Sequence, residues 1–265
     1  MSGTSGPQHL DSNGVVTEPR DWDAATYDRV ADPQARWGAS VLERLSLAGD
    51  ETVVDAGCGS GRVTERLLER LPGGRVVAID ASPSMIAVAR GRLARFGDRV
   101  DYLVADLGRP FDLPGGVVAD AILSTATFHW IPDHDSLFRN LAAVLRPGGQ
   151  LVAQFGGAGN IASVLAILAS VGDGWVGEKN FPTAELTAER LANAGFADID
   201  VWLHPEPTRF ERGEPLETFL RTVILGAHIA RLPVDARDAF VHEVAERLPE
   251  PIIDYVRLNV TARRA

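Results

Sequence analysis

The chain has 265 residues, 45% hydrophobic and 23% charged, enough to bury one α/β core with additions. Its formal net charge of −10 opposes a nucleic-acid backbone or an anionic membrane as main partner, and a small molecule is expected instead. The single cysteine, Cys58, excludes an intrachain disulfide, and with no signal peptide and no apolar run of the roughly 18 residues a membrane span needs, a cytoplasmic protein is expected.

Residues 1–20 are rich in Gly, Ser, Pro, Asn and Asp without any period and read as a disordered tail. Residues 21–48 read as N-terminal helices: a short piece, a break at Pro33, then an amphipathic helix with Trp37, Val41, Leu42 and Leu45 on one side. From Thr52, short apolar runs alternate with helical stretches. "TVVDA", "RVVAID", "VDYLVAD", "ADAILST" and "GQLVAQF" are predicted strands, and the stretches 61–71, 83–96 and 133–145 are predicted helices. Such a series predicts a doubly wound parallel sheet with its ligand at the carboxyl ends of the strands, where the strand order reverses. Residues 49–156 form this expected core. In 157–265, helices are predicted at 161–171 and 183–194, a strand at "DIDVWLH", two helices within 215–248 around Leu232-Pro233, and a last strand "IIDYVRLNVTA". The helical insertion of about 213–249 and the N-terminal helices are expected to cap the site.

The turn "DAGCGSGR" after the first strand is the most informative stretch. It could be a ligand-free strand-to-helix turn. A dinucleotide site wants G-x-G-x-x-G, but Arg62 holds the third glycine position, and Asp55 would set an anion beside a pyrophosphate. A P-loop is excluded because no Gly-Lys-Ser/Thr follows. An acid beside glycines suits a ligand with an ammonium group at one end and a nucleoside at the other, which is S-adenosylmethionine. Asp80 ends the second strand, 25 residues after Asp55, where a carboxylate can accept both ribose hydroxyls. Asp106 ends the third strand, placed for an adenine amino group. Either acid alone would read as a helix cap or loop residue; three at successive strand ends point to a cofactor.

With those residues in view, "VVDAGCGSG", "VVAIDASPSMI", "DYLVADL" and "LRPGGQLVAQF" resemble the successive motifs of class I S-adenosylmethionine-dependent methyltransferases. The resemblance implies a seven-stranded, mostly parallel sheet with its last strand antiparallel, Pro147–Gly149 as the turn into strand five, and cofactor contacts at Asp55, Gly57, Gly59, Asp80, Ala81, Met85, Asp106 and Leu107. In similar proteins the N-terminal segment closes over the cofactor, which adds Tyr27 and Gln34. "FHWIPDHDSLFRNLAAVLRPGG" and the closing "VRLNVTARR" look most like small-molecule carboxyl methyltransferases of the trans-aconitate type.

No metal site is expected, because His129 and His134 are five apart across a proline, and Asp133 and Asp135 read as helix-start acids. His129 follows the fourth strand, opposite the glycine turn. It has three readings: a general base for a hydroxyl acceptor, a donor holding a carboxylate, or a packed histidine bonded to backbone. Cys58 reads as a small turn filler. The sole lysine, Lys179, lies in a loop-like "GEKNF", a poor place for a pyridoxal Schiff base. The cap carries Arg209, Arg221, His228, Arg231 and Arg257, one or two of which could clamp a carboxylate; Arg209 and Arg221, with Trp130, are the substrate-binding candidates. The expected protein is a monomeric or homodimeric methyltransferase acting on an oxygen of a small acceptor, a carboxylate before a hydroxyl. Two other readings stay open, a non-catalytic binder of the cofactor or its demethylated product and a nucleotide-dependent oxidoreductase, the latter disfavoured by Asp55 and Arg62.

Overall fold

The computed structural model describes residues 32–265, with side chains from Trp37 onward. The expected tail and Tyr27 lie outside the described residues, as does the side chain of Gln34. The elements in chain order are α1 (Asp32–Leu42), β1 (Thr52–Ala56), α2 (Arg62–Glu69), β2 (Arg75–Asp80), α3 (Pro83–Arg92), β3 (Val100–Val104), β4 (Ala119–Thr125), α4 (His134–Val144), β5 (Leu145–Gly156), α5 (Ala162–Leu168), α6 (Ala184–Asn193), β6 (Phe196–Pro205), β7 (Thr208–Arg209), α7 (Glu214–Phe219), α8 (Gly226–Ala230), α9 (Arg237–Arg247), β8 (Ile252–Ile253) and β9 (Val256–Arg264).

Seven strands form one sheet in the order β3-β2-β1-β4-β5-β9-β6. β1 to β5 run parallel, and β9 is antiparallel to both of its neighbours, β5 and β6. The order reverses between β1 and β4, so the ligand crevice of such a sheet opens beyond Ala56 and Thr125. Successive residues of each strand serve opposite faces. Val54, Ile122 and Leu151 pack toward α4, whereas Val53, Leu123 and Val152 pack toward α1 and α2. Burial on both faces is why these strands read as unbroken apolar runs.

Pro33 sits in the first turn of α1, where its missing N–H costs nothing; Trp37, Val41 and Leu42 are buried, Trp37 in the apolar cluster of the cap and the other two against α2 and the sheet, while Leu45, also buried, lies past the end of the helix, which stops at Leu42. The helix expected to reach residue 96 stops at Arg92 and gives way to a 3-10 turn around Gly97, whose φ is +59°. Pro147–Gly149 is not a turn ahead of β5 but a bulge inside it: Leu145 pairs with Ala119 and Gln150 with Ala121.

The first of the two helices expected in 215–248 is broken into α7, a π-helical turn over Leu220–Ile224, and α8. The expected last strand is also split. Ile252–Ile253 pair with Thr208–Arg209 in a separate ribbon, and Asp254 leaves the strand to accept bonds from Ser163, at 2.9 Å from its N–H and 2.6 Å from its hydroxyl. The carboxylate thereby holds the start of α5. Leu216, Phe219 and Val241 of the cap form a second apolar cluster with Val164 and Trp37, so α1 and the cap share a core.

Candidate functional site

The turn after β1 is built on one carbonyl: the N–H groups of Gly57 and Cys58 both donate to Ile79 O at 2.8 Å. Gly57 has φ +86°, and a Cβ there would overlap the γ atoms of Thr127 and lie 2.6 Å from its Cβ. Gly59 has φ +53°, and a Cβ there would meet nothing within 4 Å, so this part of the turn faces open space. Ser124, at the end of β4, donates its hydroxyl to Ala56 O at 2.6 Å and ties the two strands together where the order reverses.

Asp80 joins this turn to the next. Its Oδ2 accepts from the Gly59 N–H and its Oδ1 from the Ser82 N–H, each at 2.9 Å. Burial raises its pKa, and the N–H bonds oppose that rise. Each oxygen keeps a lone-pair direction for a further donor. Ala81 follows it, and Ser82 caps α3 by accepting from the buried Met85 at 3.2 Å. Asp106 is half-exposed, accepts from Gly108 N–H at 2.9 Å and lies 3.5 Å from Arg109. Leu107 is buried beside it, its carbonyl held by Asn140 of α4 at 3.0 Å.

Asp55 is only 1% exposed. Its Oδ2 accepts from the Thr64 hydroxyl at 2.6 Å, while its buried Oδ1 has no partner. Burial, together with the nearby Asp80, pushes its pKa up to about 7 against the opposing Thr64 bond. A buried carboxylate with one unsatisfied oxygen, beside an open glycine cradle and an acid at the next strand end, fits a ligand that offers an ammonium group and a diol.

Across the crevice, the 3-10 turn Phe128–Trp130 carries His129. The last N–H of β5, from Gly156, donates to His129 Nδ1 at 3.3 Å, which places the imidazole proton on Nε2. Burial first, then the charges of Arg257 and Lys179, hold the His129 pKa well below the usual imidazole value. The loop after α5 covers it: Asn180 N–H donates to His129 O at 2.9 Å, and the Phe181 ring stacks on the imidazole. In that loop Lys179 lies over Trp130, its Nζ donating to Ile224 O in the π-helical turn at 2.9 Å. Arg257 is 2% exposed, with its guanidinium over the Trp37 ring at 4.4 Å.

The structure therefore brings His129, Trp130, Lys179 and Arg257 together, but not Arg209 and Arg221. Arg209 is 63% exposed on the β7 ribbon and pairs with Glu250 at 2.7 Å; Arg221 pairs with Asp238 at 2.7 Å. Arg231 pairs with Asp173, and His228 holds the Trp175 carbonyl at 3.1 Å, so both anchor the covering loop. Lys179 had no place in the expected site, and no short motif marks it. His134 is buried with Nε2 2.9 Å from Phe128 O, and Asp133 caps α4. Among the described residues no group of three side chains could hold a metal, and no helix is long and apolar enough to cross a membrane.

Residues 53–149 match the family model described as a methyltransferase domain. A trans-aconitate 2-methyltransferase of Methylobacterium nodulans is 36% identical over 186 residues, 69% of this chain and 67% of that one. That of Methylobacterium radiotolerans is 29% identical over 92% of this chain and 99% of its own length. The match to the Delftia acidovorans enzyme of the same name is 39% identical and spans about half of each chain. Among solved structures, Haemonchus contortus phosphoethanolamine N-methyltransferase 2, complexed with S-adenosylhomocysteine, superposes with TM-score 0.62 at 20% identity over 91% of this chain and 56% of that one. A geranyl diphosphate methyltransferase complexed with SAM gives TM-score 0.55 at 18% identity over 91% and 90%. At these identities the structural likeness shows the fold alone.

Proposed function

Since the chain belongs to the class I S-adenosylmethionine-dependent methyltransferases, we propose that it methylates a carboxylate oxygen of a small organic acid. The observation that carries this reading is Arg257, a cation held in a buried position beside His129. A buried positive charge lowers the free energy of an anion brought next to it, and a guanidinium matches a carboxylate through two parallel bonds. Lys179 adds a second positive charge from the covering loop. The names of the trans-aconitate 2-methyltransferase relatives agree with such an acceptor.

The cofactor supplies a methyl group already activated on a sulfonium. Asp55, Gly57, Gly59, Asp80, Ala81, Met85, Asp106 and Leu107 are the residues assigned to hold it, with Asp80 on the ribose hydroxyls and Asp55 toward the ammonium. The remaining demand on the protein is to hold the acceptor in line and keep water out. His129 suits that task as a donor. Its proton is on Nε2, and its basicity is suppressed by burial and two cations, which disfavours removal of a hydroxyl proton and suits a bond to a carboxylate. A carboxylate is ionised at neutral pH and needs no base.

A screen of small organic acids and phenols with radiolabelled cofactor tests the reading, and His129→Gln sharpens it. With the acid that turns over, the variant is expected to raise KM modestly and leave kcat nearly intact. A kcat loss of roughly 10²–10⁴-fold with a vanished acidic limb would instead identify a hydroxyl acceptor and a catalytic base. For the cofactor half, Asp80→Ala is expected to weaken S-adenosylhomocysteine binding by about 1.5–3 kcal/mol, measured by calorimetry. Unchanged affinity in the folded variant removes Asp80 from the ribose role.

A further inference from the structure

We propose that Thr64 is a positioning residue that keeps Asp55 ready to ionise, so that binding of the cofactor's ammonium end drives a proton off Asp55. This step involves no acceptor and stands apart from the carboxylate reading.

The geometry behind it is a closed two-residue unit. Thr64 is fully buried in the first turn of α2, and its hydroxyl donates to Asp55 Oδ2 at 2.6 Å. The other carboxylate oxygen has no partner. Asp55 lies in the middle of the parallel sheet, with Ala78 of β2 and Leu123 of β4 as its register partners, so neither neighbouring strand offers a charge at that level. The charged groups that face it are themselves acidic. Asp80, at the end of β2, opposes a second negative charge, and the Cys58 thiol in the turn is kept protonated by burial and by both aspartates. Among the described residues, no cation figures among the causes of the Asp55 shift, and the Thr64 hydroxyl favours its charged form. These opposing influences leave Asp55 titrating near neutrality, at a pKa of about 7.

An ammonium group brought to Oδ1 would supply the missing positive charge. In the balanced step, the O–H bond of neutral Asp55 breaks, the proton passes to solvent buffer, and the carboxylate remains beside the ammonium. Affinity for the cofactor then falls as pH drops below about 7, because binding must first expel the proton. The Thr64 bond sets where that fall begins. A hydrogen bond to a charged group, once lost, moves the titration of Asp55 upward by about one pH unit or more.

Calorimetry with S-adenosylhomocysteine in paired buffers of different ionisation enthalpy, between pH 6 and 8.5, reads the proton directly. Wild-type protein is expected to release close to one proton per ligand at pH 6 and about half at pH 7. Thr64→Val is expected to shift this release upward by about one pH unit or more, with affinity near pH 7.5 lower by roughly 3- to 10-fold and largely regained at pH 8.5. Thr64→Ser, which keeps the hydroxyl, should restore the wild-type profile, and Asp55→Asn should show no such release. Absence of proton release from the wild-type protein overturns the proposal whatever the variants do. So does an affinity loss in Thr64→Val that is equal at every pH, since a purely structural tie between α2 and β1 would give that result.

Discussion

Replacing Arg257 by methionine is expected to lower kcat/KM for the acceptor by about 2–5 kcal/mol, roughly 30-fold to several thousandfold. S-adenosylhomocysteine affinity should stay within a factor of two or so, because Arg257 lies on β9 and the assigned cofactor residues lie between β1 and the loop after β3. Methionine fills much of the same volume and can keep contact with Trp37, so the loss isolates the charge and the fork of donors. Arg257→Lys should recover part of the rate, since it keeps the charge without the bidentate geometry. A secondary effect reports the same contact. Arg257 is the second cause, after burial, of the suppressed His129 basicity, so its removal should move the imidazole pKa upward, measurable by the histidine ring proton shifts. Acceptor kinetics that do not change on Arg257→Met would falsify the anion-binding role.

Gly57→Ala is expected to destabilise the protein by roughly 2–5 kcal/mol and to impair cofactor binding as well. Two costs combine. A non-glycine residue at φ +86° costs about 1–2 kcal/mol. The new methyl would overlap the Thr127 γ atoms, and overpacking of this kind adds about 1–3 kcal/mol. Thr127 cannot simply turn away, because its hydroxyl donates to Thr125 O at 3.0 Å and its Cβ itself would be 2.6 Å from the added atom. The double variant Gly57→Ala/Thr127→Ala should therefore recover only part of the loss, and a mutant cycle separates the steric from the conformational component. Melting temperature and S-adenosylhomocysteine affinity are the readouts. A Gly57→Ala protein with both at wild-type values would show that the turn relaxes freely.

The cofactor half of the site was legible because its signals are local. Asp55 and Asp80 lie at the ends of β1 and β2 and Asp106 two residues past the end of β3, and the chain order of a parallel sheet alone brings such ends to one edge. The acceptor half was not. In "VRLNV", Val256, Leu258 and Val260 alternate with Arg257 and Asn259, a pattern that does not tell what covers the polar face. In the structure Leu258 and Val260 pack toward α4, while Trp37 of α1 closes over Arg257 on the other side. Which face of an antiparallel strand meets solvent is decided by what packs there, and the covering residues lie more than two hundred positions away. The sequence favours Arg209 and Arg221 as acceptor residues over Arg257, but the structure pairs them with Glu250 and Asp238. Lys179 was hidden for a related reason: its partner is the Ile224 carbonyl of a π-helical turn, and a π turn has no composition that marks it in advance.

The ribbon of β7 and β8 gives the cap a particular evolutionary freedom. Thr208 pairs with Ile253 and Phe210 N–H donates to Pro251 O at 2.8 Å, so the segment between them leaves and rejoins the body at almost one point. A stretch whose two ends are already clasped can lengthen, shorten or be exchanged at small entropic cost and without altering the register of the sheet. Trp37 is the exception, since it belongs to the cap's core while sitting on α1. A graft of a foreign cap onto this scaffold should therefore carry its own partner for position 37, and diversification of acceptor choice in such proteins would leave its record in that pair of segments together.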